Sequence, residues 1–137
     1  MFDSILLAVD GSETSGKAIP IAADVAKRYG AEVVVLHVRE REVSVEGAFD
    51  LETGEEAADL VDDAVRNLKD AGLSARGEVR TTIIGQVPRV VAEVASDEGA
   101  GLIVMGSRGL SDWGGLFLGS VTHRVLHMVE VPVLVVR

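Results

Sequence analysis

Residues 102–122 read LIVMGSRGLSDWGGLFLGSVT, and this stretch decides the fold because it joins an apolar strand to a helix through a glycine-rich loop. The run at 102–105 is typical of a strand buried on both faces. Glycines follow at 106, 109 and 119, and an apolar helical repeat begins at Val121. Glycine lets backbone N–H groups approach a phosphate, and a helix N-terminus adds partial positive charge. The stretch therefore indicates an anion-binding loop, with glycines that act only as turns and caps as the alternative.

Four further apolar runs alternate with segments of helical spacing. The five predicted strands are Ile5–Val9, Glu32–Val38, Glu78–Ile84, Leu102–Met105 and Pro132–Val136. Such alternation predicts right-handed crossovers and a parallel sheet. We therefore predict one α/β domain over residues 1–137, a doubly wound, Rossmann-like sheet of five parallel strands with helices on both faces. Ligands of such sheets bind beyond the carboxyl ends of the strands, where Asp10 and Gly106 lie.

Composition narrows the classes of partner. The chain has 137 residues, 47% of them hydrophobic, which suits a single domain with a real core. A net charge of −9 argues against nucleic acid and anionic membranes as partners, because both need lysine and arginine to neutralise phosphates. The absence of cysteine excludes disulfides and thiolate chemistry. The acidic start Met1-Phe2-Asp3-Ser4 is unlike a signal peptide, so we expect a cytoplasmic protein.

Local features lead to four expectations. Ser12 is a suitable N-cap for the first helix, and Pro20 inside that helix predicts a kink or a later start. His37 lies within the second strand and is expected to be a packed or hydrogen-bonded core residue. Residues 39–56 are highly charged and contain two glycines, so we expect a mobile surface loop there.

Two motifs are rejected on chemical grounds. Residues 11–18, GSETSGKA, nearly match a P-loop, but Ala18 has no hydroxyl for Mg²⁺ and Glu13 would oppose the phosphates. His123 and His127 have the spacing of a zinc pair, but the residues between them include no glutamate and no third ligand is evident. We expect surface histidines, no metal site and no catalytic residues.

With the strands placed, the sequence resembles the universal stress protein family, specifically its ATP-binding branch. The motifs that carry the resemblance are ILLAVDGS at 5–12, LHV at 36–38, LIVMGSRG at 102–109, GSVT at 119–122 and PVLVV at 132–136. They extend over essentially the whole chain. The resemblance implies the strand order 3-2-1-4-5.

The resemblance also implies a set of nucleotide-binding residues. Asp10 would accept hydrogen bonds from the ribose or adenine, with an N-cap role as the alternative. An apolar adenine slot would be formed by Ala8, Val38 and Met105. Gly106 and Gly109 would let the backbone pass the ribose and phosphates, and Arg108 would be a charge partner. The β- and γ-phosphates, with Mg²⁺ or Mn²⁺, would meet amides and hydroxyls of Gly119, Ser120, Val121 and Thr122.

Three functions follow as hypotheses. The first is a cytoplasmic ATP-binding regulator of the stress response that acts without enzymatic turnover and binds an unidentified protein partner. The others are a slow ATPase or nucleotide-dependent transferase with Asp10 as base, and a nucleotide-free interaction module. The family resemblance implies a homodimer through the C-terminal strand, whose apolar edge a second copy could cover.

Overall fold

A parallel sheet with helices on both faces forms the core of the computed structural model, which describes residues 1–107 and 118–137. Its elements in chain order are β1 Ser4–Ala8, α1 Glu13–Tyr29, β2 Glu32–Ser44, β3 Gly47–Asp50, α2 Gly54–Asp70, β4 Ala75–Ile83, α3 Val87–Asp97, β5 Leu102–Gly106, α4 Ser120–Met128 and β6 Val133–Val136. None of the helices within the described ranges has both the length and the apolar character needed to cross a membrane.

The parallel strands follow the order β4-β2-β1-β5-β6. Counting parallel strands alone, this is the predicted order 3-2-1-4-5. The first crossover places β2 on one side of β1, and the later crossover places β5 on the other. The register sets Ala8 at the end of β1 beside Leu36 and Met105. The carboxyl ends of three neighbouring strands therefore meet where the strand order reverses.

The two faces of the sheet carry separate cores because side chains alternate along each strand. On one face, Leu7 and Val35 pack with alanines of α1 and apolar residues of α2. On the other face, Leu6 and Leu36 pack with valines of α3 and with Val125 of α4. Strands covered on both sides become nearly continuous apolar runs, which is why the sequence showed them clearly.

The first helix confirms one expectation and corrects another. Ser12 is the N-cap, and its side chain accepts a hydrogen bond from the Ser15 N–H at 3.3 Å. The helix begins at Glu13, so the later start suggested by Pro20 was wrong, and the kink given as the other alternative stays a prediction. Pro20 removes the N–H that would bond to Gly16, and both residues are exposed, so water can satisfy the freed carbonyl.

Residues 39–50 form a β-hairpin and residues 54–56 begin α2, which corrects the loop predicted for residues 39–56. β2 continues to Ser44 and pairs antiparallel with β3, which adds a sixth strand to the sheet. Arg41 lies opposite Asp50 and donates to its Oδ1 at 2.8 Å, and this hydrogen bond lowers the pKa of the Asp50 carboxyl. The hairpin residues 41–50 are exposed, so the sequence there has no core-facing apolar pattern. Of the four register pairs in the hairpin, one, Arg41 with Asp50, joins opposite charges across the strands.

The fourth strand, β4, is an edge strand as predicted, since among the described strands it pairs only with β2. It begins at Ala75, three residues before the predicted start. Gly77 faces α2, where an added Cβ would lie 2.2 Å from Val61 Cγ1. The glycine thus permits close packing of this helix on the strand.

Candidate functional site

A cavity of about 310 Å³ lies at the reversal point of the sheet, between the carboxyl ends of β1, β2 and β5 and the helices α3 and α4. The structure brings most of the predicted site residues together there. Those lining the cavity are Ala8, Asp10, Val38, Met105, Gly106, Ser120, Val121 and Thr122. Gly119 is the buried N-cap of α4, directly beside them. Arg108 and Gly109 lie outside the described residues.

One wall of the cavity is an apolar slot. Ala8 and Met105 are register partners on adjacent strands, and Val38 follows on β2. Val87 and Val91, one turn apart on α3, cover the same space from above the sheet. A slot bounded by a strand floor and aliphatic side chains suits a flat, uncharged ring.

The main chain of Val38 adds a hydrogen-bonding edge to this slot. Even-numbered residues of β2 point their backbone groups toward β1, as Val9 N–H donating to Leu36 O at 2.9 Å shows. β1 ends at Ala8, before it could pair with Val38, the next even-numbered residue of β2. Two residues further along, Glu40 O accepts a hydrogen bond from the Leu51 N–H at 3.3 Å. Val38 lies in this gap. Its N–H and C=O therefore point into the cavity with no ladder partner within residues 1–107 and 118–137.

Asp10 stands at the end of β1 and braces the following turn. Its Oδ1 accepts from the Ser12 N–H at 2.9 Å, and its own N–H donates to Ser15 Oγ at 3.0 Å. Because Ser12 is the N-cap, the capping alternative for Asp10 does not hold. The carboxylate is half-buried and lines the cavity, where it can accept from a ligand hydroxyl.

The opposite end of the cavity is the N-terminus of α4. Gly119 precedes the helix in an extended conformation, and no side chain among the described residues caps it. The first turn carries no acidic residue. The N–H groups of Ser120, Val121 and Thr122 therefore remain available at a positive helix end, which is the arrangement that binds anions.

Two residues that were predicted to lie beside the phosphates have structural roles. The Thr122 hydroxyl is buried and donates to Gly106 O at 2.8 Å. A Cβ at Gly106 would lie 2.5 Å from Thr14 Oγ1 and 2.6 Å from Ser15 N. Gly106 thus permits the first turn of α1 to touch the end of β5, and Thr122 ties α4 to the same point. The site contribution left to Thr122 is its backbone amide.

His37 is buried, as predicted, and both ring nitrogens are engaged. Nδ1 lies 2.7 Å from Val9 O, and Nε2 lies 2.5 Å from Glu52 Oε1. Glu52 comes from the segment between the hairpin and α2, and it lines the cavity. His37 therefore connects the end of β1 to the segment between the hairpin and α2.

The charged and histidine side chains of the two rejected motifs are exposed. Lys17 is exposed and pairs with Glu13 at 3.3 Å on the surface of α1. His123 and His127 are exposed on α4 with ring centroids 4.7 Å apart. Within the described ranges, no three histidine, aspartate or glutamate side chains cluster closely enough to hold a metal.

Comparison with known proteins supplies the family. The sequence model of the Universal stress protein family matches residues 1–137. This chain belongs to the universal stress protein family. Universal stress protein YxiE of Bacillus subtilis is 32% identical over 151 aligned residues, covering 100% of both chains.

Solved structures of universal stress proteins share the architecture. The structure of MJ0577, from Methanocaldococcus jannaschii, superposes with a TM-score of 0.82 at 28% identity, covering 99% of this chain and 96% of the other. A universal stress protein in complex with cAMP superposes with a TM-score of 0.71 at 26% identity, covering 99% and 97%.

In this universal stress protein, several cavity residues escaped sequence analysis. Val91 was not among the predicted site residues, although its spacing from Val87 could have indicated a second apolar wall. Glu40 comes from the hairpin, and Leu51 and Glu52 from the segment that follows it; all three lie in the stretch predicted as a loop, so no pattern placed them. The main-chain edge of Val38 depends on where β1 ends relative to β2, which a single strand's sequence does not encode.

Proposed function

We propose that this universal stress protein binds an adenine nucleotide in the cavity and acts as a cytoplasmic regulator of the stress response. The observation that carries the proposal is one cavity that joins an apolar slot, a free main-chain edge and an uncapped helix N-terminus. These three features match a base, its hydrogen-bonding edge and a phosphate. The relative in complex with cAMP supports the proposal, because cAMP contains adenine, ribose and phosphate.

The chemistry of each wall orients the ligand. The base lies between Ala8, Met105 and the α3 valines, with the N–H and C=O of Val38 at its edge. Asp10 accepts from the ribose. The phosphates meet the amides at the start of α4, and Arg108, Gly109 and Gly119 complete that side, as the family resemblance implies. Local amides overcome the net charge of −9 because they act at contact distance.

ATP is the ligand we propose, with Mg²⁺ or Mn²⁺ held by its phosphates. The donors at the start of α4 fit phosphate oxygens and not a cation, so the ion would be carried by the nucleotide. The ion neutralises phosphate charge when bound. We further propose binding without turnover. Among the described cavity residues the carboxylates are Asp10, Glu40 and Glu52. Each has one oxygen already engaged within the protein, by the Ser12 N–H, the Gly85 N–H and the His37 ring, respectively.

Titration calorimetry with ATP and inosine triphosphate tests the base site. Adenine offers an acceptor at N1 beside a donor at N6, which matches the N–H and C=O of Val38. Hypoxanthine reverses both groups, so inosine triphosphate should bind about 10- to 100-fold more weakly. Chromatography of the recovered ligand should return unchanged ATP. Equal affinities would contradict the Val38 edge, and no heat or thermal shift at about millimolar ATP would contradict the site itself.

We also propose a homodimer through β6. Among the described strands β6 pairs only with β5, and three of its four residues are half-buried in the single chain. An apolar edge strand of this kind is protected when a two-fold copy covers it. Light scattering at about micromolar concentration should therefore give twice the mass of 14.4 kDa. A monomer mass would contradict the dimer.

A further inference from the structure

Ser15 places a buried hydroxyl in the wall of the cavity. The residue lies in the first turn of α1 and lines the cavity, with 3% of its surface exposed. Its Oγ accepts a hydrogen bond from the Asp10 N–H at 3.0 Å, and its own N–H donates to Ser12 Oγ at 3.3 Å. These two contacts fix the Ser15 side chain beside Asp10, at the end of β1.

The proton of this hydroxyl has no acceptor among residues 1–107 and 118–137. A serine hydroxyl can donate one hydrogen bond and accept two, and the described contacts of Ser15 Oγ use one acceptor position. The other hydroxyl side chains in the described lining differ, because Thr122 donates to Gly106 O and Ser120 is exposed. A buried donor without an acceptor is unfavourable, so Ser15 favours a ligand that supplies one.

The neighbouring Asp10 supplies the complementary group. Its carboxylate is half-buried in the same wall, and its Oδ1 accepts from the Ser12 N–H at 2.9 Å, which leaves acceptor positions for a ligand. An acceptor and a donor side by side match a group that both donates and accepts, which is a hydroxyl. A phosphate oxygen only accepts, and its negative charge would be repelled by the Asp10 carboxylate.

The position of Asp10 and Ser15 along the cavity selects the part of the nucleotide that they meet. Asp10 follows Ala8 of the apolar slot by two residues. On the other side, a Cβ at Gly106 would lie 2.6 Å from Ser15 N, and Gly106 O accepts from Thr122 at the start of α4. The two side chains therefore lie between the base slot and the phosphate end, where the sugar of a bound nucleotide belongs.

We propose that Asp10 and Ser15 together bind one ribose hydroxyl and make the site selective for a ribonucleotide over the analogue that lacks this hydroxyl. This inference rests on the proposed nucleotide site. The ribose hydroxyl donates to the Asp10 carboxylate and accepts from Ser15 Oγ–H. A sugar without it leaves the buried Ser15 proton unpaired, and a site built to bind a hydroxyl discriminates strongly against such an analogue.

Titration calorimetry with ATP, 2′-deoxy-ATP and 3′-deoxy-ATP tests this pair of residues. In the wild type, removal of one of the two sugar hydroxyls should weaken binding about tenfold or more, and removal of the other should weaken it less. In Ser15→Ala the larger loss of affinity should shrink at least about threefold, because the donor is absent from both complexes. If the loss were the same in Ser15→Ala and the wild type, Ser15 would act only through the fold and the inference would be overturned.

Ser12→Ala is the matched control, because it removes a hydroxyl from the start of the same helix. Loss of the N-cap should lower the melting temperature by about 2–6 °C, while the preference for ATP over its deoxy analogues should stay that of the wild type. Equal affinities of the wild type for all three nucleotides would overturn the inference and leave the nucleotide site in place. Absence of ATP binding to the wild type would overturn the proposed function and the inference with it.

Discussion

Replacing Gly106 by alanine is expected to lower the free energy of unfolding by about 3 kcal/mol and to remove nucleotide binding with it. The added Cβ would meet Thr14 Oγ1 at 2.5 Å, Ser15 N at 2.6 Å and Thr14 C at 2.8 Å. Two of these atoms are backbone atoms in the first turn of α1, so a change of rotamer cannot relieve the contact. The helix must move away from β5 and from the cavity. Urea denaturation measures the loss.

Gly16→Ala is the control for this prediction. Gly16 lies in the same helix, is exposed, and has nothing within 4 Å of an added Cβ. Alanine there should be neutral or stabilising by up to about 1 kcal/mol, because it has the higher helix propensity. If both variants unfolded at the same urea concentration, the close approach of α1 to β5 would be contradicted.

Ser120→Asp is expected to change stability and binding in opposite directions. Ser120 is exposed in the first turn of α4, where a carboxylate interacts favourably with the helix dipole and stabilises the fold by about 0.3–1 kcal/mol. The same carboxylate would repel phosphates at these amides, so ATP affinity should fall more than about tenfold. Thermal unfolding and calorimetry measure the two effects.

Ser120→Asn serves as the uncharged counterpart, of nearly the same size as aspartate. It should keep ATP affinity within about threefold of the wild type, because it adds no charge beside the phosphates. Undiminished ATP binding by Ser120→Asp would show that the phosphates do not lie at the start of α4.

The parallel sheet was predictable because its inner strands are buried on both faces. The runs at Ile5–Val9 and Leu102–Met105 are too short for a buried helix or a membrane span and are bounded by turn residues, which favours buried strands. The helix faces followed from three- and four-residue spacing, as at Ala18, Ala22 and Ala26, which are all fully buried. The spacing of apolar residues along the sequence therefore indicates which face of a helix is buried.

The hairpin was not predictable from the same rule. Its strands are exposed, so nothing forces alternation, and the pairing of Arg41 with Asp50 depends on a register that a charge run does not reveal. Since Glu40, Leu51 and Glu52 reach the cavity through this hairpin, one wall of the site was missed with it.

The glycine motifs led to residues that lie at the cavity, but the structure gives two of those residues packing roles that the motifs did not predict. Gly106 was predicted to give the backbone room beside a ligand, but the structure uses the missing Cβ to seat α1. The Thr122 hydroxyl was predicted to contact a phosphate, but it donates its hydrogen bond to Gly106 O. Both residues line the cavity. The contacts that require them, between α1 and β5 and between α4 and β5, also direct the N-terminus of α4 toward the cavity.

The crystal structure of the protein with ATP and Mg²⁺ tests the central claim most directly. The account predicts a base between Ala8 and Met105 with its edge on the N–H and C=O of Val38, and phosphates at the amides of Ser120, Val121 and Thr122. A cavity that stays empty at saturating ATP, or is filled by the protein's own side chains, would contradict it.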